Sequence, residues 1–219
     1  MLDWGIGELV PTAKAWEKEG RGPIRGKWVD RNKGDAQHPL VRSRYVACEI
    51  NTYKDESLFA ATPPLEALRL LLSDAATGDA SSQPKKLLLI DVKKAHLHAD
   101  AVREVYVSLP PELARKHPGM CWRLQKCLYG TRDAPAQWEA LYCRRLGEMG
   151  FRCGSASRCC FYHPSRNVKC VVHGDDFTFS GTEENLRWVE SRMKTAFACK
   201  VEGIMGPGPQ DLKEARVLN

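Results

Sequence analysis

The segment Val168-Lys-Cys-Val-Val-His-Gly-Asp-Asp-Phe-Thr-Phe179 places two short apolar runs on either side of a Gly-Asp-Asp turn. Val168, Cys170 to Val172, Phe177 and Phe179 favour strand, and Gly174 can take the positive φ that a tight hairpin needs. Asp175 and Asp176 then lie side by side at the tip of a hairpin. Adjacent carboxylates repel, and a fold keeps them together most readily when a cation neutralises them. Oxygen-only ligands with room for phosphate oxygens suit Mg²⁺ or Mn²⁺. The competing reading of this hairpin alone is a solvated Asp-Asp turn.

A third carboxylate, Asp91, ends the run Leu87-Leu-Leu-Ile90, which is bounded by Pro84 and Lys85-Lys86. Four consecutive aliphatics read as a strand buried on both faces. An Asp just past such a strand is costly to bury unless something pairs with it. Asp91 beside the Asp175-Asp176 hairpin makes a three-carboxylate cage. That is the arrangement two-metal phosphoryl transfer needs, with ions roughly 3.5–4 Å apart. As a lone residue Asp91 also reads as a strand-end turn; the order of strand, Asp, long helical insert and Asp-Asp hairpin carries the metal reading.

The chain is long enough for one good core, organised as one or two subdomains. Its net charge of +6 is compatible with a polyanionic partner. The distribution is more informative. Residues 21–54 hold eight basic side chains (Arg21, Arg25, Lys27, Arg31, Lys33, Arg42, Arg44, Lys54) against Asp30, Asp35 and Glu49, which suits either a solvated face or phosphate contacts. The N-terminus has no basic and apolar signal-peptide pattern, and no apolar run approaches the ~20 residues needed to span a bilayer. The nine cysteines are odd in number and lack framework spacing, which favours reduced thiols and an intracellular setting, cytoplasmic or nuclear.

Along the chain, residues 1–40 are rich in Gly, Pro and charge and read as a loosely structured lead-in. Val41 to Ile50 reads as a strand, with Arg42, Arg44, Val46 and Cys48 on one face. Thr62 is expected to cap a helix with Pro63 at its first position and Leu65, Leu68, Leu72 and Ala75 as its buried stripe. Thr77 to Pro84 reads as a loop. Asp133 is expected to cap a second helix, with Trp138, Leu141, Tyr142, Leu146 and Met149 as its apolar face and Gly150 as its end. Thr182 opens a third, with Leu186, Val189, Met193 and Phe197 at helical spacing. Gly203 to Gln210 reads as a loop. The order β-α-β-α-ββ-α predicts an α+β fold, an antiparallel sheet with helices packed on one face.

Several blocks carry a resemblance. Leu89-Ile-Asp-Val-Lys-Lys-Ala-His-Leu-His98, followed by Glu104-Val-Tyr-Val107 and Pro110-Pro111, resembles the first catalytic block of copia-type retrotransposon reverse transcriptases. Cys121-Trp-Arg-Leu-Gln-Lys-Cys-Leu-Tyr-Gly-Thr-Arg-Asp-Ala-Pro-Ala-Gln-Trp138 resembles that family's Leu-Tyr-Gly and Ala-Pro-x-x-Trp segment. Gly150-Phe151 with Cys160-Phe-Tyr162, and Arg42-Ser-Arg-Tyr-Val-Ala47, are similar to two further blocks. Together they cover residues 27–205 in the family's order.

The resemblance implies an RNA-directed DNA polymerase of the right-hand type, with fingers and palm in 27–205 after a lead-in at 1–26. Residues 206–219 would then begin a primer-grip and thumb region, with the thumb largely missing. It implies Asp91, Asp175 and Asp176 as catalytic ligands of two Mg²⁺ or Mn²⁺ ions. Arg42, Arg44, His96, Tyr129 and Gly130 would lie at the nucleotide. The implied partners are dNTPs, an RNA or DNA template with its primer, and the remainder of a Pol polyprotein, of which this chain reads as a fragment. Two positions depart from the pattern. His173-Gly-Asp-Asp stands where the family has Tyr-Val-Asp-Asp, and His96 stands where it has an aromatic residue crowding the sugar 2′ position.

Two rival functions remain open on the sequence. An RNA-dependent RNA polymerase is suggested by Gly-Asp-Asp, but His96 stands where such enzymes place a second acid. A catalytically decayed, nucleic-acid-binding relic would keep the basic groove without turnover. Cys160-x-x-His163 and Cys170-x-x-His173 look like zinc pairs, yet on strands i and i+3 point to opposite faces. His96 and His98 would share a face if strand continued through them.

Overall fold

The apolar runs around Asp91 and the Asp-Asp hairpin build strands in the computed structural model, which describes residues 4–50, 58, 60–77 and 83–215. Lys54 and most of the expected Thr77–Pro84 loop lie outside the described residues. The elements run β1 (Gly7–Pro11), α1 (Thr12–Glu19), β2 (Gly26–Asn32), β3 (Val41–Ala47), α2 (Leu65–Ala76), β4 (Lys86–Val92) and a 3-10 turn (Ala95–His98). There follow β5 (Tyr106–Ser108), α3 (Pro111–Lys116), β6 (Met120–Leu124), α4 (Ala134–Glu148), β7 (Arg152–Cys153), β8 (Cys160–His163), β9 (Val168–His173), β10 (Asp176–Gly181), α5 (Glu183–Ala196) and β11 (Cys199–Met205). The chain divides into two units, Met1–Phe59 with His96–Trp138, and Ala60–Ala95 with Glu139–Asn219. No helix of the described residues is long and apolar enough to cross a membrane, and all nine thiols are free.

In the first unit, β1 and β5 flank β6 in an antiparallel sheet, with Leu9 opposite Trp122 and Val107 opposite the same tryptophan. This corrects the expected lead-in: residues 7–19 are a strand and a helix. Their partner is β6, Val10 lying opposite Cys121, so the segment's order is set by contacts far along the chain and local composition concealed it. β2 and β3 form a separate antiparallel hairpin. One of its faces carries Tyr45, buried to 1% exposure, whose hydroxyl donates to the Ser108 carbonyl at 2.8 Å and whose ring meets Trp122 edge-on. Ile6, Val107, Trp122 and Leu128 complete this core.

In the second unit, six strands pair antiparallel in the order β11-β4-β10-β9-β8-β7. Residues opposed across neighbouring strands share a face. One face therefore carries Leu88, Ile90, Phe177, Phe179, Val172 and Cys170, all buried. α4 and α5 cover it: Tyr142 meets Phe161 and Phe177 edge-on, Phe197 packs on Phe177, and Trp188 meets His163. Each fully buried side chain of this size contributes about 1.5–3 kcal/mol of hydrophobic stabilisation. Both helices match the expected stripes, with Leu146, Leu186, Val189 and Met193 fully buried.

The opposite face carries Leu87, Leu89, Asp91, Asp176, Thr178, Ser180 and Val171, and α2 packs there through Leu65 and Leu68. Helices thus cover both faces, correcting the expected single layer. Leu68 and Leu71 are the buried residues of α2, whereas Leu65 is half exposed. That stripe is too narrow to reveal its partner. α2 also begins later than expected, with Pro64 rather than Thr62 at its N-cap, because an extended Thr62-Pro-Pro run leads into it. The expected loop at Gly203 is instead the end of β11, whose register shifts between Val201 and Gly203 in a bulge that a glycine marks in sequence. β3 stops at Ala47, leaving Ile50 exposed.

Candidate active site

The β9–β10 hairpin closes on the pair His173 and Asp176, leaving Gly174 and Asp175 as its loop. Gly174 takes φ +63°, the left-handed region where a Cβ is costly. The loop is tied to β4, since the Val92 N–H donates to the Asp175 carbonyl at 2.8 Å. Asp176 is the first residue of β10 and lies directly opposite Asp91 of β4. Asp91 is therefore inside its strand rather than just past it. Asp176 is thus the cross-strand partner of Asp91, and Asp175 belongs to the turn.

Across four strands one row reads Lys200, Asp91, Asp176, His173. Burial raises the Asp176 carboxyl above the usual carboxylate range, and the Asp175 and Asp91 charges raise it further, while His173 opposes them. The three acids therefore share one electrostatic field. Among the described residues no three His, Cys, Asp or Glu side chains form a ready cage for an ion. The three-carboxylate cage expected from sequence is therefore not preformed, although Asp91, Asp175 and Asp176 are the oxygen ligands that a hard divalent cation takes. Cys170 of the suspected zinc pair is buried on the face under α4 and α5, whereas His173 is exposed on the aspartate face.

The sequence-predicted nucleotide residues fall in the first unit, and most of them meet there. Register places Arg42 opposite Arg31 and Arg44 opposite Val29, so Lys27, Arg31, Arg42 and Arg44 line the solvent face of the β2–β3 hairpin. Arg44 also lies over the Tyr129 ring, 5.4 Å from its centroid, within cation–π range. The His96 ring packs against the other partner in this stack, 4.6 Å from Tyr129. His96 sits in the 3-10 turn, which removes the expected strand face shared with His98; the His98 ring faces Trp4 and Trp138 instead.

The Leu-Tyr-Gly run has a physical reason. Leu128 is fully buried, and the Tyr129 carbonyl accepts the Ala47 N–H at 2.7 Å. Gly130 adopts φ +84°, and a Cβ there would stand 2.0 Å from the Ala47 carbonyl oxygen. Only glycine lets the turn approach β3 this closely. Beside it lies a buried ionic group that sequence reading missed. Arg103 forks onto Glu49 at 3.1 and 3.0 Å and reaches Asp133 at 2.6 Å. Asp133, expected only as a helix cap, is an ion-pair partner that still supplies its carbonyl to Gln137. The signal available was weak: Glu49, Arg103 and Asp133 are scattered charges with no spacing to link them.

The sequence model of the family described as reverse transcriptase (RNA-dependent DNA polymerase) matches residues 15–205. The chain belongs to the reverse transcriptase family. It is 34% identical over 178 residues, 77% of its length, to a retrovirus-related Pol polyprotein from a Nicotiana tabacum transposon, TNT 1-94. It is 24% identical over 194 residues, 88% of its length, to the transposon Ty1-DR4 Gag-Pol polyprotein of Saccharomyces cerevisiae. These place it with the copia-type reverse transcriptases. The matches cover 13% and 11% of those two polyproteins, so the chain spans a small part of the relatives it resembles.

Proposed function

We propose that this reverse transcriptase domain is an RNA-directed DNA polymerase that joins a dNTP to a primer 3′-hydroxyl, copying an RNA or DNA template. The observation that carries this reading is the facing pair Asp91 and Asp176 with Asp175 in the adjoining turn, three acids in one electrostatic field. In this reading the second unit is the palm, the first the fingers, and residues from 206 onward begin the primer-grip region. The parent is a retrotransposon Pol polyprotein, an assignment supported by the names of the relatives.

The reaction is in-line attack of the primer hydroxyl on the α-phosphate, with pyrophosphate leaving. Asp91, Asp175 and Asp176 would hold two divalent cations, Mg²⁺ or Mn²⁺. When bound, such ions neutralise the triphosphate and favour the deprotonated attacking oxygen. Arg42 and Arg44 supply cationic forks suited to phosphate oxygens. Tyr129, held by its carbonyl to Ala47, gives a flat wall for the base or sugar. His96, stacked on it, fills space near the sugar 2′ carbon and disfavours ribonucleotides. Gly130 keeps that wall free of a side chain.

The test is template-dependent dNTP incorporation by the purified chain with Mg²⁺ and with Mn²⁺, alongside Asp175→Asn. The substitution keeps size and removes a metal-binding charge, so turnover should fall by several orders of magnitude, each ~1.4 kcal/mol of lost transition-state stabilisation being tenfold. Duplex binding without metal should be unchanged or slightly tighter. Duplex binding with no incorporation by the unaltered chain under either metal would leave a nucleic-acid-binding relic in place of a polymerase.

A further inference from the structure

Outside the aspartate row and the basic hairpin, the most heavily desolvated charges of the first unit converge on Arg103. The Glu49 and Asp133 side chains are only 4% and 5% exposed. Glu49 takes the Arg103 fork and also accepts from Arg132, through its backbone N–H at 2.9 Å and its Nε at 3.2 Å. Two buried carboxylates are thus balanced by two guanidinium groups. The balance is not perfect for stability, because Arg103 Nε is buried with no hydrogen-bond partner among the described residues. Buried ion pairs roughly break even against apolar packing, and their best-attested use is to fix one register.

The register fixed here is specific. Glu49 lies just beyond β3, the strand that carries Arg44, and Asp133 lies just beyond the turn that carries Tyr129 and Gly130. Two backbone bonds join the same segments, Ala47 N–H to the Tyr129 carbonyl at 2.7 Å and Glu49 N–H to the Gly130 carbonyl at 3.4 Å. The second is long, so the side-chain ions hold what the backbone holds weakly. We infer that Arg103, clamped between Glu49 and Asp133, is a positioning residue that sets the Arg44–Tyr129–His96 stack for an incoming nucleoside triphosphate. This rests on the proposed nucleotide role of that stack. Arg103 acts through the two segments it joins, by its bonds to Glu49 and Asp133.

The experiment uses the full chain with Arg103→Lys, Glu49→Gln and the double variant. Arg103→Lys keeps the charge and loses the fork. Arg123→Lys, at the exposed Glu8 pair, is the control. Three quantities are read: thermal midpoint, amide exchange at Ala47 and Glu49, and equilibrium binding of a fluorescent dATP analogue with Mg²⁺. Each single variant should bind the analogue about tenfold more weakly, the value of about one charge-assisted interaction, and should exchange the Ala47 and Glu49 amides faster than other strand amides. The double variant should be no weaker than the worse single one, because both act through one contact. Binding within twofold of the unaltered chain in folded variants, or effects that add, would overturn the assignment while leaving the nucleotide site standing. An unaltered chain that binds no analogue would overturn the site and the assignment together.

Discussion

Replacing Gly130 by Ala tests whether the Tyr129-Gly130 turn is held against β3 as closely as described. Two costs are separable. An L-residue in the left-handed region costs about 1–2 kcal/mol, and Gly130 has φ +84°. The added methyl would also stand 2.0 Å from the Ala47 carbonyl oxygen and 3.0 and 3.1 Å from the Ala47 carbonyl carbon and amide nitrogen. A backbone atom cannot swing aside, so the turn must retreat and the Ala47–Tyr129 bond at 2.7 Å is lengthened or lost. Losing it adds about 1–3 kcal/mol for the exposed or orphaned groups, giving about 2–5 kcal/mol in all. Gly119 isolates the first cost: its φ is +75° and a Cβ there meets nothing within 4 Å. Gly119→Ala should therefore cost only about 1–2 kcal/mol. Urea unfolding of the two variants measures both, and at this chain length each kcal/mol moves the thermal midpoint by about 2–4 °C. If the two substitutions destabilise equally, the close approach of the turn to β3 is wrong.

Three more outcomes follow from other places in the fold. Ser180 is 1% exposed and its hydroxyl has no hydrogen-bond partner among the described residues, so Ser180→Ala should stabilise the chain by about 1 kcal/mol in urea titration, and a loss would reveal a partner. Burial tends to raise the Asp74 carboxyl, but hydrogen bonds from Lys169 and Lys85 outweigh it and hold the group below its ordinary value. Its stabilisation is therefore complete above the unfolded carboxylate pKa and is lost as pH falls through the lower folded value. The stability gap between the chain and Asp74→Asn should be widest near neutrality and should close in acid; a constant gap would refute the linkage. Replacing Arg42 and Arg44 together by Ala should reduce the slope of log duplex affinity against log salt by about 2, and an unchanged slope would make them an ordinary solvated face.

What could be read from sequence was mostly local. The Gly174-Asp175 loop between two apolar runs signals its own hairpin, and the stripes of α4 and α5 follow from spacing alone. Register was not legible, because a one-residue choice decides whether Asp175 or Asp176 faces Asp91, and hydrogen bonding to β4 makes that choice. β1 and α1 were hidden because their partner strand β6 lies far along the chain. The Arg103 group was hidden for the same reason: its members Glu49 and Asp133 sit 54 and 30 residues away. Adjacent acids at a hairpin tip stand out by residue type, whereas ion-pair partners scattered along the chain look like any other surface charge.

The place of β4 in the six-stranded sheet has a consequence for how the chain comes off the ribosome. β4 is flanked by β10 and β11, and its first residue, Lys86, bonds Glu183 and Asp211, 97 and 125 residues later. At about 5–20 residues per second, a hundred residues take about 5–20 s to make. For most of that interval β10 is unmade while Leu87-Leu-Leu-Ile90 already exists, and β11 is unmade throughout it. An aliphatic strand left unpaired in this way can pair with a neighbouring nascent copy. Yield in a cell should therefore depend on translation speed and on chaperones that shield this one strand, more than on the final stability of the sheet it joins.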